Sequence, residues 1–539
     1  VQEAGAVSTV RAGRRASKAS KQLAPVQSIA PSTSRSIDRA SPVLAFARSR
    51  PIVLASSRST ALATALASLA LAFGSCSGCA SSPGDAVKSA SPAPALWSYD
   101  VAVSADAHEL RIEADYAARA ARKLSVHTGA EPFVHEVELA AGDGWKRIEP
   151  DDGYWILPED GATHRLRYRF LLRDAAHALG DPDTASYSGD VLVAPPSTWL
   201  LHPFDSREGD VFRLHVSAGA NASYACGLTP DPSAPDTFGG AAEDLSESPY
   251  CAFGPITLHR VEARGGAEVL LALAPGSYQV TEAEIVSWVE RSALAVGSYY
   301  GVFPMHHACV IVTEGRGRSV EGGKTLGNSG ASILVSIGRR ATQRALDEDW
   351  ILTHEMIHLA LPSVPRQHHW LEEGSATYLE PIARARAGQR TPEQVWRDLV
   401  QGLPQGLPRA NDHGLDHTPT WGRTYWGGAL YWLLADIEIR KRTDNRRGLE
   451  DALRGVIDAG GTIADSWDVE RVLKTADQAV GVPVLTELYT AMANDPHPVD
   501  LPALWKELGV VAEGRKITFD DSAPLAAIRM AITRTPETK

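Results

Sequence analysis

Cysteine and methionine are scarce in this chain of 539 residues, with five Cys and four Met, and the first methionine is Met305. So few thiols exclude a disulfide-stapled miniature scaffold, and no CxxC-type zinc pattern occurs in the body of the chain. Basic residues are also short, with 53 Lys and Arg against 65 Asp and Glu. The shortage is uneven. Residues Val1 to Ser98 carry eleven Lys and Arg against three acids, a balance of +8, which leaves −20 on the remainder. A body this acidic lacks the basic footprint that nucleic-acid binding requires. Internal repeats are absent as well. What remains is ordinary globular composition, 44% hydrophobic and 22% charged, with length enough for several domains.

The basic end reads as targeting sequence. Arg48, Arg50 and Arg58 precede the uncharged run ALATALASLALAF, Ala61 to Phe73, and GSCSGCASSPG follows. A basic flank, a short apolar core and a small-residue end are the parts of a secretory signal. The run falls short of the ~20 residues of a membrane span. Cys76 or Cys79 would be the acceptor of a bacterial lipoprotein signal, although Phe73 departs from that pattern. An Arg- and Ser-rich organelle leader is the rival reading. The expected organisation is a low-complexity leader at 1–47, a signal segment at 48–79, a linker at 80–98, a β domain at 99–279 and a mainly helical catalytic region at 280–539. The location expected is exported, periplasmic or anchored to the outer membrane through a lipid.

The β assignment rests on pieces such as YDVAVSA, HRLRYRFLL, DVFRLHVSA and EVLLALA, separated by Gly, Pro, Asp and Ser clusters, the pattern of a sandwich-like region. In HRLRYRFLL, period-two alternation puts Leu166, Tyr168 and Phe170 on one face. The pattern changes at Thr281 and Glu284, a capping box, followed by Ile285, Trp288, Val289, Leu294 and Val296 at helical spacing. Later helices are expected from TPEQVWRDLV and from TYWGGALYWLLADIEIRKRT, with short strands at ACVIVT and SILVSI. Cys226 and Cys251 are either a disulfide or two separate thiols.

The chemistry lies in WILTHEMIHLALPSVPRQHHWLEEGSATY, Trp350 to Tyr378. One helix over the first part, stopped before Pro362, puts His354 and His358 one turn apart with Glu355 offset by ~100°. Two histidines able to share an ion, and a carboxylate placed for the water beside it, form the His-Glu-x-x-His arrangement of zinc hydrolases. From the composition, ~0.03 such matches are expected by chance in a chain of this length. A polar helix edge is the alternative, but the apolar flanks Ile351, Leu352, Met356, Ile357 and Leu359 imply deep packing, where unpaired polar groups are costly. A third histidine six residues past His358 is absent, since Val364 stands there. Glu372 or Glu373 could complete the set. His368 and His369 are expected in an exposed connecting loop.

HEMIH followed by WLEEGSATY resembles the glycyl aminopeptidase family of gluzincin zinc metallopeptidases, distant relatives of aminopeptidase N. The resemblance implies a β domain ahead of a thermolysin-like catalytic domain, one zinc ion, and a glutamate directly before glycine as third ligand, which selects Glu373. Within TYWGGALYW it implies that Tyr425 donates to the oxyanion, a role beside which a plain core tyrosine is the alternative. Two departures stand out. The His358 to Glu373 spacing is shorter than in aminopeptidase N relatives. The stretch GKTLGNSGASILVS, Gly323 to Ser336, has no acid where those relatives hold the substrate's amino group, leaving SILVS to align the peptide backbone. The function expected is therefore a zinc-dependent, aminopeptidase-like metallopeptidase acting on peptide or protein substrates, with no nucleic-acid partner. The alternatives are a zinc endopeptidase or a weakly active envelope binding protein on the same scaffold.

Overall fold

The computed structural model describes residues 97–534 apart from 118–121, 205, 207, 208, 220 and 221. The leader, the signal segment and the acceptor cysteines Cys76 and Cys79 lie outside the described residues. From Trp97 onward the architecture is a succession of layers, β-rich first and helical afterwards.

The first layer is a seven-stranded sheet in the order Thr237–Ala241, Val211–Ala218, Trp97–Val103, Leu110–Tyr116, His164–Phe170, Val134–Ala141 and Gly144–Arg147. Its pairs are antiparallel except Trp97–Val103 with Val211–Ala218. Leu166, Tyr168 and Phe170 point together into its core, as their alternation predicts. A four-stranded sheet, Ser223–Cys226, Cys251–Gly254, Val191–Ala194 and Ser186–Ser188, comes next. The run Val191–Ala194 is apolar throughout because both faces are covered. Leu192 and Ala194 join the core of the first sheet, while Val191 and Val193 pack with Ala272, Cys309 and Ile311 on the far side. Cys226 and Cys251 stand directly opposite in this sheet and are joined as a disulfide, whereas Cys309 is free and buried.

The third layer is a mixed five-stranded sheet in the order Thr257–Ala263, Ala267–Leu273, His307–Gly315, Ser332–Gly338 and Val320–Leu326. His307–Gly315 runs parallel to both neighbours, and the crossover from Ala267–Leu273 to it is the Glu282–Tyr300 helix. The capping box at its start forms in full, with Thr281 and Glu284 each bonding the other's backbone N–H. Leu294 departs from its expected face and stands exposed. SILVS also departs from expectation. It lies in the interior strand Ser332–Gly338, and Val320–Leu326 is the edge. Two strands from before residue 279 thus belong to the sheet that supports the later region.

Helices cover the remaining face of this sheet, and the large core there includes Trp288, Tyr299, Trp370, Trp396 and Trp432. Among the described residues no helix is long and apolar enough to cross a membrane.

Candidate metal centre

Ile351–His358 forms the motif helix, ending at His358 rather than continuing to Pro362. Seven of its eight residues are buried, His354 and Glu355 among them. Its N-terminus is held by Asp349, whose carboxylate accepts from the backbone N–H of Ile351 and Leu352, both 3.1 Å, and from Trp288 Nε1 at 3.0 Å. Burial raises the Asp349 pKa to about 6 against the lowering effect of these three donors.

The second segment forms the helix His369–Arg386. It crosses the later helix Gly428–Arg442 in backbone contact, because a Cβ on Gly374 would lie 2.4 Å from Gly428 Cα. Only glycine at both positions allows that approach. The crossing brings Glu373, directly before Gly374, under the π-helical turn Gly422–Gly427 that carries Tyr425. TYWGGALYWLLADIEIRKRT is thus not one regular helix; its first four residues, Thr424 to Gly427, lie in the π-helical turn, a feature common at functional sites, and the regular helix starts at Gly428.

Three side chains converge where these pieces meet. The Nε2 atoms of His354 and His358 lie 3.3 and 3.7 Å from one and the same oxygen, Glu373 Oε2, and the three candidate ligand atoms fall within 4.8 Å of one another. A tetrahedral zinc site with bonds of ~2.0–2.1 Å separates its ligand atoms by ~3.3 Å, so the donor set fits that ion. Glu372 is turned away: its oxygens accept from Val364 N at 3.3 Å and face His369 Nδ1 at 2.7 Å. Of the two glutamates, Glu373 is the one that faces both histidines.

The charges follow from burial and proximity. Burial opposes ionisation of Glu373, but hydrogen bonds from His354 and His369 and the neighbouring His358 hold its carboxyl well below the usual range. Burial lowers His358 to about 4, leaving a neutral imidazole with a free lone pair. Burial likewise works against a charge on His354, but the Glu373 carboxylate outweighs it and raises that group. Glu355 is raised by burial, opposed by His354 and by Thr325.

Thr325, on the edge strand Val320–Leu326, donates to Glu355 Oε2 at 2.7 Å. Gly323 on the same strand lies against the same side chain, and a Cβ there would fall 2.6 Å from Glu355 Cγ. No local pattern in the sequence marks either residue. Lys324, between them, pairs with Asp183 from the β-rich region, and Tyr250 OH donates to the same carboxylate at 3.1 Å. The nearest acid on that strand, Glu321, is bound to the backbone N–H of Arg316 at 2.8 Å. Between the two contacts with Glu355, Lys324 thus ties the edge strand to the β-rich region.

Tyr425 is close to the centre: its ring lies near-parallel to His354 at 6.4 Å, and burial with the facing Glu373 carboxylate raises its phenol. His368 is not an exposed loop residue. It is buried, with Nδ1 2.9 Å from Asp416, which also accepts from Trp370 Nε1 at 2.7 Å and Tyr489 OH at 3.0 Å. That cluster fixes the start of the Glu373 helix. His369 is half-exposed but sits between Glu372 and Glu373, which outweigh burial and raise it to about 10.

Solved structures resemble this fold. An aminopeptidase N family protein from Idiomarina loihiensis aligns with a TM-score of 0.56 at 14% identity, covering 77% of this chain and 79% of that one. An M1 zinc metallopeptidase from Deinococcus radiodurans aligns at 0.45 and 15% identity, covering 75% and 95%. No family model and no curated protein matches the sequence. The structural neighbours are aminopeptidase N-like zinc metallopeptidases, and at these identities the likeness is one of fold.

Proposed function

We propose that this chain is a zinc-dependent peptidase, aminopeptidase-like in architecture, with His354, His358 and Glu373 as metal ligands, Glu355 as general base and Tyr425 as oxyanion donor. The observation that carries the reading is the convergence of both imidazole Nε2 atoms on one Glu373 oxygen, with a buried carboxylate at the next position along the motif helix. A bound zinc ion supplies Lewis acidity toward the scissile carbonyl and makes a water deprotonable near neutral pH. Glu355, its pKa raised by burial, is poised to take the proton of that water and return it to the departing amine. Thr325 orients the Glu355 carboxyl, and Gly323 leaves it room. Tyr425 offers a phenol O–H where charge develops on the carbonyl oxygen.

A second reading, an endopeptidase, is favoured by the edge strand Val320–Leu326: its acid Glu321 is bound to the Arg316 N–H and its Lys324 is paired with Asp183, which leaves no uncommitted carboxylate on that strand for a substrate's free amino terminus. Export is supported by the Cys226–Cys251 disulfide, since such bonds persist in oxidising compartments.

The test compares zinc content and hydrolysis of a mixed peptide library by the parent chain and Glu355→Gln. Equal zinc with cutting by the parent alone supports the reading, and blocked against free N-termini among the cut peptides separates the two peptidase types. Zinc without any cutting would favour a binding protein; no zinc would remove the metal centre.

A further inference from the structure

Of the 13 tryptophans in the chain, only two stand among the exposed large apolar residues, Trp350 at 39% and Trp421 at 52%. Both are joined to the metal centre. Trp421 lies near-parallel to Tyr425, centroids 5.7 Å apart, and Tyr425 in turn lies near-parallel to His354. Trp350 meets the His354 ring edge-on at 5.4 Å. Four rings thus form one continuous run, solvated at its two indole ends and buried at His354. The other indoles are buried or partly buried, as the hydrophobic effect dictates.

The carboxylates around the centre are already engaged. Glu355 is bound by Thr325, Glu373 by His354 and His369, Glu372 by Val364 N and His369, and Asp183 by Lys324 and Tyr250. An incoming cationic side chain finds each of these acids already hydrogen-bonded, whereas an incoming aromatic ring meets an exposed indole at either end of the ring run.

We propose that Trp421 and Trp350 wall a subsite for an aromatic side chain adjoining the bond to be cut, so that the substrate class is peptides with Phe, Tyr or Trp at that position. This rests on the peptidase reading of the same centre. An offset ring laid on the open face of Trp421 extends the existing stack, and the bound peptide then buries indole surface that water now covers. Glycine and small aliphatic side chains fill less of that surface.

The experiment uses the full chain loaded with zinc and peptides that differ only in one residue, Phe, Leu, Arg or Gly, placed in turn on each side of a fixed bond. The parent should prefer Phe at one of these places, and Trp421→Ala should cut the Phe-to-Gly ratio of kcat/KM by about tenfold, chiefly through KM, with Trp421→Phe restoring much of it. Zinc content should stay equal in Trp350→Ala, which separates a substrate contact from bracing of the ligand His354. An equal fall in kcat for every peptide would instead mean that Trp421 only braces Tyr425, and would overturn the proposal, as would a preference for Arg. Calorimetry with Glu355→Gln reads binding without turnover. If no peptide is cut, the peptidase reading fails, while Phe-peptide binding that is lost in Glu355→Gln with Trp421→Ala still upholds the aromatic subsite. Absence of any such binding overturns it.

Discussion

At the scale of single residues, local spacing carries the part of the centre that a sequence displays. His354, Glu355 and His358 are legible because one helical turn suffices to relate them. Glu373 is less so: two adjacent glutamates differ by ~100° of helix phase, and only the packing of the helix decides which one faces the histidines. Gly323 and Thr325 are illegible, since their meaning is a contact with Glu355 some thirty positions further along, and a glycine and a threonine on a strand announce nothing. Glu355→Gln should retain metal and lose at least ~100-fold in kcat, measured with zinc quantified on the same preparations. Gly323→Ala should be harmful in a different way. The added methyl meets Glu355 Cγ and Ile351 Cγ2 at 2.6 and 2.8 Å, so the motif helix or the strand must shift. A loss of ~1–3 kcal/mol in unfolding free energy is expected, together with a fall in kcat that exceeds the fall in zinc affinity. Unchanged activity in that variant would contradict the placement of the edge strand.

At the scale of elements, the helix bearing the two histidines is held at its start by Asp349, and the helix bearing Glu373 is held at its start by Asp416. The carboxyl of Asp349 has a pKa near 6, above the ordinary value for an aspartate. Protonated Asp349 therefore favours the folded state. That contribution is complete below pH ~4, where the unfolded chain's aspartate is protonated too, and is lost as pH rises through about 6. Thermal unfolding of Asp349→Asn against the parent should accordingly show a smaller decline between pH 4 and 6.5. Asp416→Ala removes one acceptor from buried His368 and Trp370 and from half-buried Tyr489, and should cost ~3–5 kcal/mol with a matching loss of zinc affinity, measured by chelator competition. The tight crossing at Gly374 and Gly428 has its sequence trace in EEG and WGG, but the π-helical turn before Gly428 has none. A helical period predicts regular continuation, whereas in the fold Trp426 and Gly427 of that turn lie tight against Gly402 and Gly406, contacts distant in the local pattern.

At the scale of the whole molecule, the division into a β-rich part and a helical part is visible in composition, because period-two alternation and helical spacing occupy separate stretches of the chain. Sheet membership is not visible. Thr257–Ala263 and Ala267–Leu273 have the same alternating character as the strands before them, yet they hydrogen-bond onward into the sheet that supports the metal centre. The disulfide closes a segment of 25 residues within the intervening layer. Its reduction, or the pair Cys226→Ala with Cys251→Ala, should lower stability by ~3 kcal/mol while zinc content below the melting transition stays constant. The sharing of strands also bears on how this chemistry could be moved or trimmed. A fragment starting after residue 279 would carry every proposed ligand and still be unsound. The strand His307–Gly315 would lose one of its two parallel partners, Ala267–Leu273, and present on that side a bare row of amide and carbonyl groups, a template for aggregation. The proposed metal centre is therefore not a portable cassette, and any shorter version that keeps its supporting sheet has to begin ahead of Thr257.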